Sequence, residues 1–571
     1  MPDSSELLAL CKRRGFIWPS FEVYGGVAGM FDYGPLGCTL KNNIINVWRS
    51  IYKGEERFVE IDSETICPRD VFKASGHIDG FSDLITYCQK CHTPFRADHL
   101  VEKFCKNPDK LTPEELERMF AECDVKCPEC GGSFGQISEF NLMFKTSIGP
   151  GSIREGYLRP ETAQGIFVNY LNLYRYNREK LPFGVIQVGK SYRNEIAPRQ
   201  GMMRMREFNQ MEAELFVDPE DKNWPGFKEI EDEKLDLVPN TTLELTTMTV
   251  REAVERGVIA NPVLAYFVYV TKRFLTMVGI DPKRLRFREH EKNEMAHYAT
   301  DCWDAEVLLS YGWVEIVGIA DRGCWDLSRH AKFSGQDMTY FRKYDDPREI
   351  EVIRIKAKNR AIGLKFKERA KDVMAGIECL RPEDVENGKI TVSVGNEVIE
   401  LNEEFFEIIH SKEKVTGDRI IPHVIEPSHG LDRILYSILE HAYERDNEEN
   451  RTILHFAPAV APIKVGVFPL MEKDGLDEVA YKIYSDICSS GIEAYYDGSG
   501  TIGKRYARMD EIGTPWCITV DYETIEGDSN KGTVTIRDRD TKGQKRVEIR
   551  SIREILGRLL AQGLHPCGSL L

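Results

Sequence analysis

Arginines placed among carboxylates occur in two segments that lie far apart in the sequence. The first covers 191–195 (Ser-Tyr-Arg-Asn-Glu) and continues over 204–212, and the second, 426–433, reads Glu-Pro-Ser-His-Gly-Leu-Asp-Arg. Arginine binds phosphate oxygens through two parallel hydrogen bonds, and carboxylates bind ammonium groups. The first segment also contains Phe208, whose ring can stack on a base. These residue types suit the binding of a nucleoside triphosphate beside a small amino acid.

The first segment has the alternation of a β-strand over residues 206–217. One face is apolar and consists of Met211, Ala213, Leu215 and Val217. The other face consists of Arg206, Phe208, Gln210, Glu212, Glu214 and Phe216. A buried ionised carboxylate needs a partner or shifts its pKa, so the second face is either exposed to solvent or in contact with ligands. The neighbouring turn carries Arg199 and, with Arg204, makes a basic loop that a polyphosphate would neutralise, which favours ligands.

The second segment predicts a strand over 423–428 that ends at Gly430, where an amphipathic helix begins. Arg433 then lies in the first helical turn, where the helix dipole is positive and an arginine is unfavourable unless an anion binds. Taken alone, Gly-Leu-Asp-Arg at a helix start is better explained by a surface ion pair.

In this order the two segments resemble motifs 2 and 3 of the class II aminoacyl-tRNA synthetases, and the surrounding sequence is similar to glycyl-tRNA synthetases of the archaeal and eukaryotic dimeric type. Matching stretches at 31–37, 74–77, 95–100, 159–165 and 320–322 extend the resemblance over nearly the whole chain. It implies an α+β and α/β multidomain protein, with an antiparallel-sheet catalytic domain that carries insertions and a C-terminal α/β anticodon-binding domain. The implied activity is ATP-dependent formation of glycyl-adenylate and transfer of glycine to the 3′ end of tRNA(Gly).

The resemblance also implies roles for individual residues. As catalytic residues, Arg193 would bridge the glycine carboxylate and the α-phosphate, Glu195 would accept the adenine amino group, and Arg433 would cover adenine and reach the γ-phosphate. Mg²⁺ would bridge the phosphates, with Glu315 as a ligand. The implied ATP-binding residues are Arg193, Asn194, Glu195, Met203, Arg204, Met205, Arg206, Phe208, Glu315, Ile316 and Arg433. The implied glycine-binding residues are Arg96, Glu161, Phe208, Gln210, Glu212, Arg322, Glu426 and Ser428.

Several alternatives stay open at this point. A structural ion pair explains Arg96 and Arg322 equally well. A prolyl or threonyl enzyme of the same subgroup is a second function, against which the glutamate set and the Glu426-Pro427-Ser428 sequence argue. A non-catalytic nucleic-acid-binding paralogue of a synthetase is a third, and it would be indicated by loss of the phosphate-binding arginines. Some relatives carry an aromatic residue where this chain has His429, which we expect to be a packing residue.

Two Cys-x2-Cys pairs, Cys88 with Cys91 and Cys127 with Cys130, predict a structural zinc site, because thiolate ligands in this spacing satisfy tetrahedral Zn²⁺. Four ordinary reduced cysteines are the alternative. Cys105, Cys123 and His92 are further candidate ligands, so the ligand set is less defined than the metal.

The predicted domains follow from these positions. Residues 1–87 form the N-terminal part of the catalytic domain and include motif 1, a helix over 36–52 and a strand over 57–66. By resemblance, motif 1 pairs two subunits in a homodimer, although the pattern alone equally fits a helix on its own core. The remaining predicted parts are a zinc-knuckle-like insertion over 88–150, the rest of the catalytic domain over 151–460 with insertions at 218–300 and 326–420, and an anticodon-binding domain over 461–571 with strand–helix alternation.

Composition is consistent with this interpretation. The chain has 571 residues, 42% hydrophobic and 29% charged, which is ordinary for a globular protein. No apolar run reaches the roughly 20 residues of a membrane helix, no secretory signal begins the chain, and 15 cysteines suit a reducing compartment, so we expect a cytoplasmic enzyme without a membrane partner. The net charge of −16 argues only weakly against RNA, because basic clusters at 178–180, 504–508 and 537–546 could bind it locally and with strong salt dependence.

Overall fold

The computed structural model describes residues 4–54, 57–105, 108, 111–198, 201–291, 300–386, 388–395, 397–446, 451–526 and 528–563. Arg199 of the predicted basic loop lies outside these residues. The helices are α1 Ser4–Arg14, α2 Pro35–Gly54, α3 Arg69–Ala74, α4 His77–Gly80, α5 Pro113–Glu122, α6 Ala163–Val168, α7 Tyr170–Tyr176, α8 Phe227–Ile230, α9 Val250–Glu255, α10 Pro262–Met277, α11 Trp325–Ser334, α12 Asn359–Phe366, α13 Ala370–Glu378, α14 Leu431–Ala442, α15 Leu476–Ser489, α16 Ile502–Glu511, α17 Tyr522–Glu526 and α18 Ile552–Gly563.

The strands are β1 Ile17–Pro19, β2 Phe31–Tyr33, β3 Phe58–Glu60, β4 Ile66–Pro68, β5 Ser82–Tyr87, β6 Pro94–Arg96, β7 Ser138–Asn141, β8 Lys145–Ile148, β9 Arg154–Leu158, β10 Phe183–Tyr192, β11 Glu207–Val217, β12 Lys234–Val238, β13 Thr246–Thr249, β14 Leu285–Glu289, β15 Asp301–Leu309, β16 Gly312–Gly323, β17 Tyr340–Ala357, β18 Lys389–Val394, β19 Glu397–Asn402, β20 Phe406–Ile420, β21 His423–Gly430, β22 Tyr443–Asp446, β23 Arg451–Leu454, β24 Val465–Pro469, β25 Ala494–Tyr496, β26 Trp516–Val520, β27 Thr533–Asp538 and β28 Gln544–Glu548. The chain divides into two compact units, one of which is Thr339–Ile421 and the other the rest.

The larger unit is built on a sheet that, over the described residues, has nine strands in the order β13-β12-β14-β15-β16-β21-β11-β10-β3. Its central strands are antiparallel, whereas β3 and β12 make the parallel pairs. The register sets Glu212 opposite Ser428, Gly318 opposite Ser428, and Ala320 opposite Glu426. Both segments identified in the sequence therefore meet at adjacent central strands, and the predicted antiparallel sheet is confirmed.

One face of this sheet carries the core. Met211, Ala213 and Leu215 of β11 are fully buried there, together with α2, α10 and α14. The predicted strand over 206–217, the strand that ends near Gly430 and the helix that follows are all found. His429 is fully buried and its ring meets those of Trp48 and Phe274, so it is a packing residue, as expected.

The segment 218–300 differs from the predicted insertion. It supplies β12, β13 and β14, which extend the central sheet, and α10, whose apolar face lies in the core. Leu235 and Leu237 alternate with polar residues in β12 and are buried, which fixes that strand at the sheet. The acidic loops around these elements concealed that they complete the catalytic sheet.

Two further boundaries in the structure differ from those predicted from the sequence. The predicted strand over 57–66 is two short strands, β3 and β4, that join different sheets. The cysteine-containing region is a sheet of β6, β5 and β7, which begins at Ser82 rather than residue 88. We call this region, residues 82–141, the cysteine module.

Residues from β24 onwards form a sheet in the order β25-β24-β26-β27-β28 with α15 and α18 packed in its core. The predicted alternation of strands and helices is present, and β28 and α17 are short elements whose sequences are largely charged or polar. Three arginines of the basic clusters, Arg505, Arg537 and Arg539, are buried. Arg537 pairs with Asp510 at 2.9 Å and Arg539 donates to backbone oxygens, so these arginines are structural rather than free to bind RNA.

The unit Thr339–Ile421 has its own core, which includes Ile362, Val373 and Ile377. It contains the long hairpin of β17 and β20, the hairpin of β18 and β19, and helices α12 and α13. It begins later than the predicted boundary at residue 326, because α11 belongs to the larger unit. Among the described residues, no helix combines the length and apolarity needed to cross a membrane.

Candidate active site

A cavity of about 180 Å³ lies on the polar face of β11, β16 and β21. Its lining combines the arginines, the aromatic ring and the methionines singled out in the sequence with backbone of the central strands. The lining residues are Arg193, Glu195, Met202, Met203, Arg204, Met205, Phe208, Asn209, Gln210, Glu315, Ile316, Gly318, Ser428, Gly430, Asp432 and Arg433. The cavity therefore brings together most of the predicted ATP-binding residues.

Arg193 lies at one side of this cavity with its guanidinium between two aromatic rings. Its central carbon is 5.2 Å from the centre of Phe208 and 5.3 Å from that of Phe81. Within the described part of the chain, the only hydrogen bond of this guanidinium runs from Nε to the carbonyl of Pro160, at 3.2 Å. A half-buried arginine without a carboxylate partner is poised to bind an anion.

Glu195 and Arg204 form an ion pair in the cavity wall. Nε of Arg204 donates to Oε2 of Glu195 at 2.5 Å, and Glu195 is 8% exposed. The neighbouring Arg206 donates to the backbone oxygens of Glu195 and Ala28 and is outside the cavity lining. Asn194 is also outside it and donates its backbone N–H to the carbonyl of Leu142 at 2.7 Å. Arg206 and Asn194 thus lie next to Glu195 but outside the lining of this cavity.

Arg433 lies across the cavity, in the first turn of α14 as predicted. Its Nε donates to the carbonyl of Met203 at 3.0 Å, and Nη1 donates to the carbonyl of Glu315 at 2.8 Å and to its carboxylate at 3.2 Å. The neighbouring Asp432 accepts hydrogen bonds from Tyr33 and from the backbone and side chain of Asn209, and so ties α14 to β11.

Gln210 and Ser428 form the floor where β11 meets β21. The Ser428 hydroxyl donates to Oε1 of Glu212 at 2.7 Å, and the Gln210 amide donates to the same oxygen at 3.0 Å. Thr162 donates to the other oxygen of Glu212. Glu212 is almost fully buried directly behind this floor.

Arg322 connects the other two predicted glutamates. Its Nη1 donates to Glu426 at 2.5 Å, its Nε donates to Asp326 at 2.8 Å, and its Nη2 lies 4.0 Å from Glu161. Arg322 is 3% exposed. It therefore has the structural ion-pair role left open by the sequence, and it also organises the carboxylates predicted to bind glycine.

This network holds more carboxylates than cations, and the pKa values reflect the excess. Burial raises the pKa of Glu426 to about 8 despite the contact with Arg322. Burial and the neighbouring Glu161 raise the pKa of Glu212, and burial together with Glu426 raises that of Glu214 far above its usual range. Burial would also raise the pKa of Glu161, but His77 and Arg322 hold it well below its ordinary value. These carboxylates would therefore be stabilised in their ionised form by an additional ammonium ion.

Several residues of this site were not identified from the sequence. His77 lies with Nε2 3.6 Å from Glu161 and Nδ1 2.8 Å from the Ser75 hydroxyl. Gln164 donates to both Glu161 and Asp326. These residues belong to the stretches 74–77 and 159–165, so the family resemblance marked their segments without giving their roles.

Arg96 lies in the cysteine module, outside the cavity lining. It donates to Asp98 at 2.9 Å and is 3.0 Å from Asp83. A second cavity, of about 270 Å³, is lined by Arg96, Pro128, Ala197 and Arg204, among others. Ion pairing thus explains Arg96, which does not line the first cavity, where glycine is expected to bind.

The cysteines of the two Cys-x2-Cys pairs converge. The sulfurs of Cys88, Cys91, Cys127 and Cys130 all lie within 4.8 Å of one another, with 3.4 Å from Cys88 to Cys130 and 3.7 Å from Cys91 to Cys127. A tetrahedral zinc with Zn–S bonds of about 2.3 Å needs sulfurs about 3.8 Å apart, so this donor set fits the metal. A Cβ added to Gly132 would come within 2.9 Å of the Cys88 sulfur, which explains a glycine there.

Comparison with known families agrees with this architecture. Residues 144–442 match the family model described as tRNA synthetase class II core domain (G, H, P, S and T), and residues 464–559 match the anticodon binding domain. The solved structure of prolyl-tRNA synthetase from Cryptosporidium parvum, complexed with L-proline and AMP, has the same fold with a TM-score of 0.50 and 11% identity, over 98% of this chain and 78% of that one. The chain therefore has the core domain and the fold of the class II tRNA synthetases.

Similar proteins with curated names identify the family within this class. The glycine–tRNA ligase of Methanothrix thermoacetophila is 48% identical over 99% of this chain and 98% of its own length. Those of Methanocaldococcus jannaschii and Archaeoglobus fulgidus are 46% and 48% identical, over 98% and 97% of this chain and 99% and 97% of their own. The chain belongs to the glycine–tRNA ligase family.

Proposed function

We propose that this protein is a glycine–tRNA ligase that activates glycine with ATP at the cavity lined by Arg193 and Arg433 and then transfers it to tRNA(Gly). The observation that carries the proposal is the half-buried guanidinium of Arg193, which has no carboxylate partner within the described residues and faces a cavity that Phe208 and Arg433 also line. All the arginines expected for phosphate binding are present, which argues against a non-catalytic paralogue.

The first reaction is attack of a glycine carboxylate oxygen on the α-phosphorus of ATP, with pyrophosphate as the leaving group. Because both reactants are anionic, charge neutralisation and in-line positioning supply most of the catalysis. Arg193 neutralises the carboxylate and the α-phosphate, and Arg433 binds the far end of the triphosphate. Phe208 stacks on adenine, and Glu195, held by Arg204, accepts its amino group. Mg²⁺ bound near Glu315 would add further neutralisation of the phosphates. No general base is needed, because the attacking carboxylate is already ionised.

Glycine is selected by charge and by space. Its ammonium group would meet Ser428 and Gln210 at the floor, with Glu212, Glu426 and Glu161 behind them. An enzyme for the smallest amino acid can reject every larger one by contact at the Cβ position, which a site for a larger amino acid cannot do for smaller ones. The glutamate set and the Glu426-Pro427-Ser428 sequence favour glycine over the prolyl and threonyl alternatives.

The remaining parts of the chain have proposed roles of their own. The cysteine module would hold one structural Zn²⁺ through Cys88, Cys91, Cys127 and Cys130. The domain over 461–571 would bind the tRNA anticodon, with the exposed lysines of its surface, such as Lys504 and Lys545, as contacts in place of the buried arginines. As an enzyme of translation the protein would act in the cytoplasm.

We also propose a homodimer. Helix α2, assigned to motif 1, packs its apolar face on the core of its own chain, so the helix alone is not the interface. Before this helix in the sequence, however, Val23 and Tyr24 are each 89% exposed and Phe21 is 54% exposed. Such a cluster of apolar side chains is typical of a surface that a second subunit covers.

Amino-acid-dependent exchange of pyrophosphate into ATP tests the function. We expect exchange with glycine and, at equal concentration, at least about 100-fold less with alanine or serine. Equal rates with alanine would overturn the glycine pocket. Absence of exchange with every amino acid, while ATP still binds, would overturn the ligase.

A further inference from the structure

We infer that Asp83 is a positioning residue for ATP, through which the cysteine module sets the geometry of the ATP-binding arginines. The inference rests on the proposed function of the cavity. Asp83 was not identified from the sequence, and it lies outside the cavity lining.

The N-terminal end of strand β5 contacts two arginines of the cavity lining, Arg193 and Arg204. Oδ2 of Asp83 is 3.4 Å from Nη2 of Arg204, and Phe81, the residue before β5, places its ring 5.3 Å from the Arg193 guanidinium. Arg204 is held at two points, by Glu195 through Nε and by Asp83 through Nη2. Two carboxylates fix the plane of a guanidinium far better than one does.

The opposite end of the same strand carries the cysteine centre. Cys88 directly follows β5, and the turn from Cys88 to Thr93, which includes Cys91, leads into β6. This turn is closed by a hydrogen bond from the Cys88 amide to the Thr93 carbonyl at 3.0 Å. Anything that orders the cysteines therefore orders the β5–β6 hairpin at its tip.

The two strands of the hairpin are joined at the arginine end by charge. Arg96 of β6 contacts the same oxygen of Asp83 at 3.0 Å and is itself held by Asp98. Asp83 is thus the carboxylate that joins Arg96 to Arg204, whereas Asp98 contacts Arg96 alone of these two arginines. Asp83 and both arginines have side-chain exposures of 16–21%, so solvent screens these pairs less than it screens pairs on an open surface.

The lining of the second cavity shows that another part of the cysteine module lies close to Arg204. Pro128, between the two cysteines of the second Cys-x2-Cys pair, shares the 270 Å³ cavity with Arg204. The second Cys-x2-Cys pair and Arg204 therefore border the same cavity, and Asp83 is a charged contact between the cysteine module and Arg204.

The test compares Asp83→Asn with Asp98→Asn in the full-length protein. Both variants remove one carboxylate from Arg96, but only the first removes a contact to Arg204. We expect Asp83→Asn to raise the KM for ATP in glycine-dependent exchange, and the Kd for ATP measured by calorimetry, about five- to twenty-fold, with less than about two-fold change in the KM for glycine. Asp98→Asn should stay within about two-fold in every constant, and Asp83→Glu should recover most of the ATP affinity.

The link to the cysteine centre is tested by combining Asp83→Asn with Cys91→Ser, with the zinc content of each protein measured. Cys91→Ser should lose the zinc and raise the Kd for ATP, and it should raise it little further when Asp83→Asn is already present. An unchanged Kd for ATP in Asp83→Asn would overturn the positioning role, and effects that multiply in the double variant would overturn the link. Failure of wild-type exchange with intact ATP binding would instead count against the ligase, because calorimetry does not depend on it.

Discussion

Arg193 and Arg433 line one cavity, although they belong to segments that lie far apart in the sequence. Arg193 follows β10 and faces the ring of Phe208, whereas Arg433 is in the first turn of α14. They meet because β11 is paired with β10 on one side and with β21, which leads into α14, on the other. The central sheet is thus what turns two sequence motifs into one nucleotide site.

Removal of Arg193 is predicted to abolish glycine activation. Arg193→Ala leaves the α-phosphate and the glycine carboxylate without their shared cation, so we expect exchange to fall by about 10³-fold. Thermal unfolding should be nearly unchanged, because the guanidinium makes a single hydrogen bond to the described protein. Arg553→Ala, which removes an exposed arginine paired with Asp486, is the control and should keep full activity. Near-normal turnover of Arg193→Ala would remove Arg193 from the phosphate role.

Gly318 is predicted to provide the space that the ligand fills. It lines the cavity opposite Ser428, and a Cβ added there would meet no protein atom within 4 Å. Gly318→Ala should therefore leave the unfolding temperature within a few degrees of wild type and still lower kcat/KM in exchange by about tenfold or more. Gly503→Ala, at another position with no atom within 4 Å of the added Cβ, is the control. Wild-type kinetics in Gly318→Ala would show that the ligand does not approach this strand.

The periodic parts of the sequence were enough to predict the central strands of the fold. The alternation over 206–217 gave both the core face and the site face of β11, and the glycine after residue 428 gave the start of α14. The partners of Arg322 and Asp432 could not be predicted, because Glu426 and Asn209 are brought close to them only by sheet register. The edge strands β12–β14 were missed for a related reason, since the acidic loops between them mask their short apolar alternation.

Glycine binding is predicted to release protons near neutral pH. With a pKa of about 8, Glu426 is mostly protonated at pH 7 in the free protein, and an ammonium ion bound nearby favours its ionised form. A ligand that displaces a proton binds more tightly as the pH rises, so the Kd for glycine should fall between pH 6 and about pH 8. Calorimetry at pH 7 in two buffers of different ionisation enthalpy measures the release directly.

Glu426→Gln is the matched variant for this measurement. It keeps the shape of the side chain but cannot ionise, so both the proton release and the pH dependence of the Kd should be reduced. Equal heats in the two buffers for the wild-type protein would mean that Glu426 is already ionised before glycine arrives.

Metal analysis of the purified protein is predicted to find about one zinc per chain, because the sulfurs of the four cysteines have the mutual spacing of a tetrahedral site. Cys130→Ser should lose the zinc and lower the unfolding temperature, since a bound structural metal stabilises only the folded state. Cys379→Ser replaces an exposed cysteine of the separate unit Thr339–Ile421 and should keep both the zinc and the stability. A metal-free wild-type protein with full stability and activity would reject the site, and zinc retained by Cys130→Ser would point instead to a ligand set that includes Cys105, Cys123 or His92.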